Sequence, residues 1–377
     1  MRVAVPKEST GESRVALTPQ VVVRVVENRH QVSIEPGAGA AAGFDDEQYR
    51  SAGAEISSDA LKGAEVVITV GPPSVALIER IPSGAILIGF LDSFAAGPHV
   101  QAMIDRRITS FAMEAIPRTT LAQSMDALSS QATVAGYQAV LTAAYTSPRL
   151  FPMLVTAAGT IPPVKLLVLG AGVAGLQAIA TAKRLGAVVS AYDIRPEVSQ
   201  QIQSLGAKFV SAPVDESAAS ATGYAKEVAD ETQRRQQDAL SPHVAESDVL
   251  ITTAQIPGSP APLLVSTEMV ERMRPGSVIV DVAAPTGGNC EPTVPGETIV
   301  LNGVTIVGAV DLAGQVAYDA SQMYARNVAA LLERMTGDEG ELSMDFDDQI
   351  ISEACITHQG KVNHPVVRRR ISSGGPT

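Results

Sequence analysis

The chain has 377 residues, of which 45% are apolar and 18% are charged, a composition that suits a globular protein of two domains. Its formal net charge of −12 argues against nonspecific binding to nucleic acid or to an anionic membrane surface. No apolar run approaches the roughly 20 residues of a membrane-spanning helix, and the N-terminus lacks the apolar stretch of a signal peptide, so we expect a cytoplasmic protein without direct membrane insertion. The two cysteines and five histidines show no metal-ligand spacing, and no metal site is expected.

Short apolar runs alternate with helical segments in the N-terminal third of the chain. Strands are predicted at Val32–Glu35, Val66–Val70 and Ala85–Phe90, and a helix is predicted over Pro19–Arg29. This alternation indicates a parallel sheet with helices on both faces. A long alanine-rich helix over Leu128–Leu150 would carry the chain into a second domain.

A glycine motif opens the second domain. The β-forming run Leu166–Leu169 meets Gly170, Gly172 and Gly175 in a G-x-G-x-x-G turn, and helical spacing follows from Val173. This strand–turn–helix context is typical of a dinucleotide fingerprint. The first glycine permits the tight turn, the second lets backbone N–H groups approach a pyrophosphate, and the third lets the helix pack on its strand. The helix N-terminus would supply free donors and partial positive charge to the phosphates.

An acidic residue lies where an adenosine ribose would bind. The second apolar strand, Ala187–Tyr192, ends at Asp193, about 20 residues beyond the middle glycine, which is where a carboxylate hydrogen-bonds the ribose diol. A carboxylate there favours NAD over NADP because it repels a 2′-phosphate. Arg195 complicates this preference because an arginine pairs well with phosphate. The alternative, glycines that only pack a helix, does not account for the acid.

Four further strands complete a doubly wound sheet in this domain. They are predicted at Lys208–Val210, Val249–Thr252, Ser277–Asp281 and Thr305–Gly308. The pattern between residues 214 and 248 is poor, and a connection of this length is usually functional or mobile. Tyr224 lies there among small residues and could form the tip of a lid, or a solvated charged helix could follow an irregular connection.

The C-terminal region predicts a return to the first domain. Ser321–Glu333 reads as an amphipathic helix whose apolar face would dock there. We therefore predict an α/β protein of two Rossmann-like, doubly wound parallel-sheet domains joined by long helices. The first domain would be discontinuous, with residues 1–130 and 325–377, and the second would span 131–324. Arg368–Arg370 and the residues that follow are predicted to form a frayed, solvated end.

A polar segment precedes the long helix. Gln123, Asp126 and Ser129 recur every three residues and would share one face of a helical turn. Arg118 could pair with Asp126 or reach the carboxamide of a ligand. The other interpretation is a capped helix start with a structural Arg–Asp pair, and the residues by themselves leave both open.

The segment from Arg118 to Gln131 reads R-x-x-x-A-Q-x-M-D-x-L-S-S-Q. It resembles a loop in the NAD(H)-binding component of proton-translocating nicotinamide nucleotide transhydrogenases. The resemblance covers nearly the whole chain. Its other motifs are Ala135–Tyr137, Thr156–Thr160, Gly170–Gly186, Gly223–Glu227, Ile251–Gly258, Pro275–Asp281 and Gly287–Cys290.

Alanine dehydrogenases are related and share the motifs Pro6–Glu8 and Arg14–Leu17. They carry a lysine in a K-V-K-E-P segment and a histidine in an F-L-H-L segment, which bind the substrate and handle its proton. The corresponding segments here are Thr69–Pro73 and Phe90–Ser93, and neither contains the required residue. Amino-acid oxidation needs such an acid–base group, whereas hydride transfer between two nicotinamides needs only orientation and exclusion of water.

The resemblance implies a cytoplasmic NAD(H)-binding subunit that passes hydride from NADH to NADP⁺ held by a partner subunit. A separate membrane subunit would couple this transfer to proton translocation and hold the chain at the inner face of the membrane. A homodimer is also implied. The alternatives are an amino-acid dehydrogenase of the alanine dehydrogenase type and a non-catalytic NAD sensor.

The resemblance also implies two sets of site residues. The catalytic set, which would orient the nicotinamide with Gln123 reaching toward the partner's nucleotide, is Arg118, Gln123, Asp126 and Ser129. The set that would hold the rest of the cofactor is Gly170, Gly172, Val173, Gly175, Asp193, Ile194, Arg195, Gly223, Tyr224 and Gln236.

Overall fold

The computed structural model describes residues 1–211, 230–256, 258–337 and 339–372. The chain divides into two compact units, Met1–Gln131 with Ala313–Thr377, and Ala132–Leu312. Unit 1 is thus built from both ends of the chain, and unit 2 is one continuous stretch.

Strands and helices are numbered along the chain. The strands are β1 (Arg2–Val5), β2 (Gln31–Ile34), β3 (Glu55–Ile56), β4 (Val66–Ile68), β5 (Ile86–Gly89), β6 (Thr109–Ala112), β7 (Leu154–Thr156), β8 (Gly159–Ile161), β9 (Lys165–Leu169), β10 (Val188–Tyr192), β11 (Lys208–Phe209), β12 (Val249–Thr252), β13 (Val278–Asp281), β14 (Thr298–Leu301), β15 (Val304–Gly308), β16 (Cys355–His358) and β17 (Lys361–Val362). The helices are α1 (Pro19–Glu27), α2 (Asp46–Ser51), α3 (Val75–Arg80), α4 (Pro98–Asp105), α5 (Ala127–Thr146), α6 (Val173–Arg184), α7 (Ser199–Ser204), α8 (Asp230–Glu246), α9 (Thr267–Glu271), α10 (Ala317–Arg334), α11 (Gln349–Ala354) and α12 (Pro365–Ser372).

Unit 1 contains a sheet of strand order β17-β16-β6-β5-β4-β1-β2-β3. Strands β1 to β6 run parallel, whereas β16 and β17 from the end of the chain add antiparallel at the β6 edge. Apolar clusters cover both faces: Val66 and Ile68 belong to one cluster, and Val67 between them belongs to the other. The helix α10 contributes Tyr324 and Val328 to the first cluster, so it docks on this unit as its amphipathic pattern predicts.

Unit 2 contains a sheet of order β11-β10-β9-β12-β13-β15-β14. All its neighbours are parallel except the β14–β15 pair, which is antiparallel. Along β9, Leu166 and Val168 pack in one apolar cluster while Leu167 and Leu169 pack in another, because successive side chains of a strand point to opposite faces. The predicted α/β class with two doubly wound, mainly parallel sheets is confirmed.

The strand order of unit 2 reverses between β9 and β12. From β9 the chain proceeds outward to β10 and β11, and then returns to the other side of β9 for β12 and β13. In open α/β sheets, ligands bind outside the carboxyl ends of the strands at such a reversal. The loops after β9 and β12 are therefore the first place to look for a site.

The predicted frayed C-terminus is wrong as far as Ser372. Arg368–Arg370 lie within α12, which is anchored by the buried side chain of Val367. Arg370 donates a hydrogen bond to the carbonyl of Phe94, and Arg368 donates one of 2.8 Å to the carbonyl of Val362. No helix in the described ranges is long and apolar enough to cross a membrane.

Candidate functional site

Two glycines close the turn between β9 and α6 because no side chain fits there. Gly170 follows β9 with φ +95°, and a Cβ on it would lie 2.9 Å from the backbone nitrogen of Ala254. A Cβ on Gly175 would overlap the carbonyl oxygen of Gly170. The first position needs the left-handed backbone that glycine adopts readily, and the second needs the absence of a side chain. Both serve the close approach of helix and strand.

The middle glycine faces open space. Gly172 is exposed and is the N-cap of α6, with φ −73° and ψ −166°. A Cβ on it would meet nothing within 4 Å, and no side chain caps the helix. The first N–H groups of a helix have no partner within it, so the start of α6 at Val173 offers uncapped donors to an anion. This open space fits the pyrophosphate of a dinucleotide.

Asp193 is tied to the glycine turn and to Arg195. The carboxylate is 6% exposed, and its Oδ2 accepts a hydrogen bond of 2.7 Å from the backbone N–H of Ala171. Its Oδ1 accepts from the backbone N–H and from Nε of Arg195, both at 2.9 Å. The acid therefore lies beside the turn with the guanidinium folded against it, and half-buried Ile194 lies between the two.

Gln236 is buried on α8 and has a partner within the protein. Its Nε2 donates a hydrogen bond of 2.5 Å to the hydroxyl of Tyr192, the residue directly before Asp193. Burial raises the pKa of Tyr192, so the phenol stays protonated. Gln236 thus supports the end of β10. Gly223 and Tyr224, together with the predicted lid, lie outside the described residues.

The polar segment of unit 1 begins α5. Asp126 accepts hydrogen bonds from the backbone N–H of Ser129 at 2.9 Å and from its hydroxyl at 2.6 Å. This is the side-chain-to-N3 bond of a helix N-cap. The structure therefore brings Asp126 and Ser129 together as a cap. Gln123 lies in a short 3-10 turn, Thr120–Met125, and the side chains of Gln123 and Arg118 are exposed.

This 3-10 turn is held from behind by α10. The Nδ2 of Asn327 donates a hydrogen bond of 2.8 Å to the carbonyl of Ser124, and Ala122 and Met125 are buried. Leu121 is 74% exposed close to Gln123. The backbone of the turn is fixed while both of these side chains face outward.

The motifs shared with alanine dehydrogenases build a buried carboxylate cluster in unit 1. Glu8 accepts hydrogen bonds from the backbone N–H groups of Val70 at 2.6 Å and Gly71 at 3.3 Å. Burial raises the pKa of Glu8 to about 7. Arg14 pairs with Glu12 at 2.6 Å and donates to Gln131 at 2.8 Å. Sequence reasoning missed this cluster, although the spacing of its charges was visible.

Metal ligation has no counterpart in the ranges that the structure describes. No group of three or more His, Cys, Asp or Glu side chains there is placed to hold a metal ion.

Two domain families match the chain. The alanine dehydrogenase/PNT N-terminal domain matches residues 4–135, and the corresponding C-terminal domain matches residues 139–365. A chain of Rhodospirillum rubrum, the first of the polypeptides that make up its NAD(P) transhydrogenase subunit alpha, is 45% identical over 97% of this chain and 99% of its own length.

Solved structures agree with these matches. A transhydrogenase from Sinorhizobium meliloti superposes with a TM-score of 0.87 at 44% identity, covering 96% of this chain and 99% of that one. An L-alanine dehydrogenase superposes with a TM-score of 0.83 at 27% identity and covers 99% of both chains. The chain therefore belongs to the alanine dehydrogenase/PNT family, and it is more similar to these transhydrogenase chains than to this alanine dehydrogenase.

Proposed function

We propose that the chain binds NAD(H) at the carboxyl end of β9 in unit 2. The observation that carries this proposal is the open space at Gly172, which lies between two glycines that close the turn and directly before the uncapped start of α6. Asp193 supports it, because a buried carboxylate beside the turn suits the adenosine ribose. Val173, Ile194 and Arg195 line the same turn and would contribute to this half of the site.

We further propose that the chain is the NAD(H)-binding subunit of a proton-translocating transhydrogenase. The identity to the Rhodospirillum rubrum chain supports this assignment. A bound dihydronicotinamide supplies a hydride, which NADP⁺ on a partner subunit would accept, and no protein group has to take up a proton. The protein's role is orientation, and we assign it to Arg118, Gln123, Asp126 and Ser129, with Gln123 nearest the partner's nucleotide.

Two features of unit 1 disfavour the amino-acid dehydrogenase alternative. The family lysine is replaced by Gly71, and the histidine is replaced by Asp92. Arg14 already pairs with Glu12. A substrate amine would find no lysine or histidine at these positions to exchange its proton. A non-catalytic NAD sensor is the other alternative, and only an activity assay separates it from the transferring subunit.

The proposed assembly has a homodimer of this chain bound to NADP(H)-binding and membrane subunits at the inner face of the membrane. The β7–β8 hairpin supports the homodimer because its apolar side chains are exposed: Leu154 by 39%, Val155 by 73% and Ile161 by 45%. Clustered apolar exposure of this kind marks an interaction surface.

Reconstitution tests the proposal. The chain is mixed with the NADP(H)-binding partner, NADH and NADP⁺, and formation of NADPH is followed against each component alone. We expect transfer only in the full mixture and none with NADH, pyruvate and ammonia. Turnover of pyruvate and ammonia by the isolated chain would establish the amino-acid dehydrogenase instead. NADH binding without transfer in the full mixture would establish the sensor.

A further inference from the structure

A buried carboxyl group at the end of β13 organises the loops beside the proposed nucleotide site. Asp281 is fully buried, and its Oδ1 accepts hydrogen bonds from the hydroxyl of Thr252 at 2.8 Å and the backbone N–H of Ala283 at 3.0 Å. Its Oδ2 accepts from the hydroxyl of Thr293 at 2.8 Å and from the backbone N–H groups of Asn289 at 2.8 Å and Cys290 at 3.0 Å. One side chain therefore fixes both ends of the loop 282–293.

Asn289 passes this order on to the loop after β12. It is fully buried, and its Oδ1 accepts from the backbone N–H of Ala254 at 2.9 Å. Its Nδ2 donates to the carbonyls of Ala254 and Pro262, both at 2.8 Å. The side-chain amide thus pairs with both backbone groups of Ala254, as a neighbouring strand would. Its hydrogen-bonding capacity is spent almost entirely on positioning this loop.

The loop that Asn289 holds lies against the glycine turn. The hydroxyl of Thr253 donates to the carbonyl of Gly170 at 3.0 Å. The turn also has an anchor on its other side, because the backbone N–H of Gly170 donates to the carbonyl of Tyr192 at 2.8 Å and Ala171 is bound to Asp193. The two walls of the reversal point are therefore fixed by separate groups: β10 and Asp193 on one side, and Asn289 on the other.

We propose that Asn289 is a positioning residue for the nicotinamide half of the bound nucleotide, acting through the loop Thr253–Ile256. This role rests on the proposed NAD(H) site. In a doubly wound sheet each half binds one mononucleotide, on either side of the reversal. The loop after β12 belongs to the second half, whereas the turn after β9 and Asp193 belong to the first. Asn289 therefore affects NADH binding without affecting ligands that occupy only the adenosine half.

Isothermal titration of the full chain with NADH and with ADP tests this role. Asn289→Asp keeps the shape and the acceptor for Ala254 but loses both donated hydrogen bonds, and Asn289→Ser removes most of the contact. We expect each to raise the Kd of NADH by about tenfold or more while the Kd of ADP stays within about twofold.

Asp248→Asn is the matched control. Asp248 is also buried, but it precedes β12 at the opposite end of the sheet, where it accepts from the backbone N–H of Lys165 at 2.9 Å and pairs with Arg149. We expect this variant to lower the melting temperature and leave both Kd values within about twofold.

Three results would overturn the role of Asn289. The first is an unchanged Kd for NADH in both Asn289 variants. The second is a parallel loss of NADH and ADP, because Asn289 would then support the whole domain. The third is a wild-type chain that binds neither ligand, which would refute the proposed function together with this role.

Discussion

The carboxylate of Asp193 and the backbone N–H of Ala171 are joined by a hydrogen bond of 2.7 Å. This bond places the acid at the end of β10 directly beside the glycine turn at the end of β9. Because the acid also holds the guanidinium of Arg195, the two charges that would select the nucleotide already form a pair. A ribose that enters here meets a fixed carboxylate rather than a free arginine.

We expect the chain to bind NADH more tightly than NADPH by a few kcal/mol, because the 2′-phosphate would face the carboxylate and the ribose would lose a hydrogen bond. Titration with each nucleotide measures the difference. Asp193→Asn keeps the shape and removes the charge, and it should narrow the preference by weakening NADH and strengthening NADPH. Equal affinities in the wild type would mean that Arg195 governs this pocket.

Two alanine substitutions separate the fold of the glycine turn from its function. Gly172→Ala adds a methyl group to open space at an ordinary backbone angle, so its free energy of unfolding should stay within about 1 kcal/mol of wild type. The Kd of NADH should rise about tenfold or more, since the methyl group occupies the place of the pyrophosphate.

Gly175→Ala is the counterpart, because its Cβ overlaps the carbonyl of Gly170. It should lower the free energy of unfolding by about 1–3 kcal/mol or more. Urea unfolding and NADH titration of both variants provide the comparison. A Gly172→Ala chain that binds NADH normally would remove the main support for the pyrophosphate position.

Gln123→Asn should slow hydride transfer by about 10- to 100-fold in the reconstituted system while the Kd of NADH changes by no more than about twofold. The amide is retained one methylene short, and small misplacements of reacting groups are costly. Transfer is measured in single turnover with the NADP(H)-binding partner. Gln101→Asn, on the exposed face of α4, is the control. Wild-type transfer in Gln123→Asn would make this side chain a bystander.

The buried carboxylate Glu8 should make stability depend on pH. Burial raises its pKa from 4.5 to about 7, so between these values the folded chain holds a proton that the unfolded chain has lost. Its contribution is therefore fully present at low pH and falls as the pH rises from about 4.5 to about 7, by at most about 3 kcal/mol.

Glu8→Gln tests this dependence because it keeps an acceptor for the N–H of Val70 and cannot ionise. We compare the urea midpoints of wild type and variant at about pH 5 and about pH 8. The variant should gain on the wild type as the pH rises. Parallel pH profiles would show that Glu8 titrates normally in the folded chain.

The glycine turn could be predicted because its determinants are local. Leu166–Leu169 lie within β9, α6 begins at Val173, and Asp193 directly follows β10, all as the residue pattern indicates. The cap formed by Asp126 and Ser129 is also local, and it was one of two interpretations of that segment. The hairpin between β14 and β15 was missed although Asn302 and Gly303 signal it, and both adopt positive φ, as such turns require.

Other features could not be predicted because they join distant residues. Cys355 of β16 lies opposite Phe111 of β6, and no local periodicity specifies that pairing. Asn289 meets Ala254 only once the sheet has formed. The charge spacing of Glu8, Glu12 and Arg14 is visible in the sequence, but whether burial or solvent surrounds Glu8 depends on Val70 and Gly71.

The order in which a ribosome makes this chain sets the order in which its units can close. Unit 2 is continuous, so all of its residues are synthesised before the returning segment of unit 1 begins at Ala313. Until then the β6 edge lacks β16, and the carbonyl of Thr69 lacks the hydroxyl of Tyr324, which binds it at 2.6 Å. A nascent chain arrested after Leu312 would therefore carry every strand of unit 2 and a first unit with an open edge and an uncovered apolar face, the state in which a chaperone or protease would meet it.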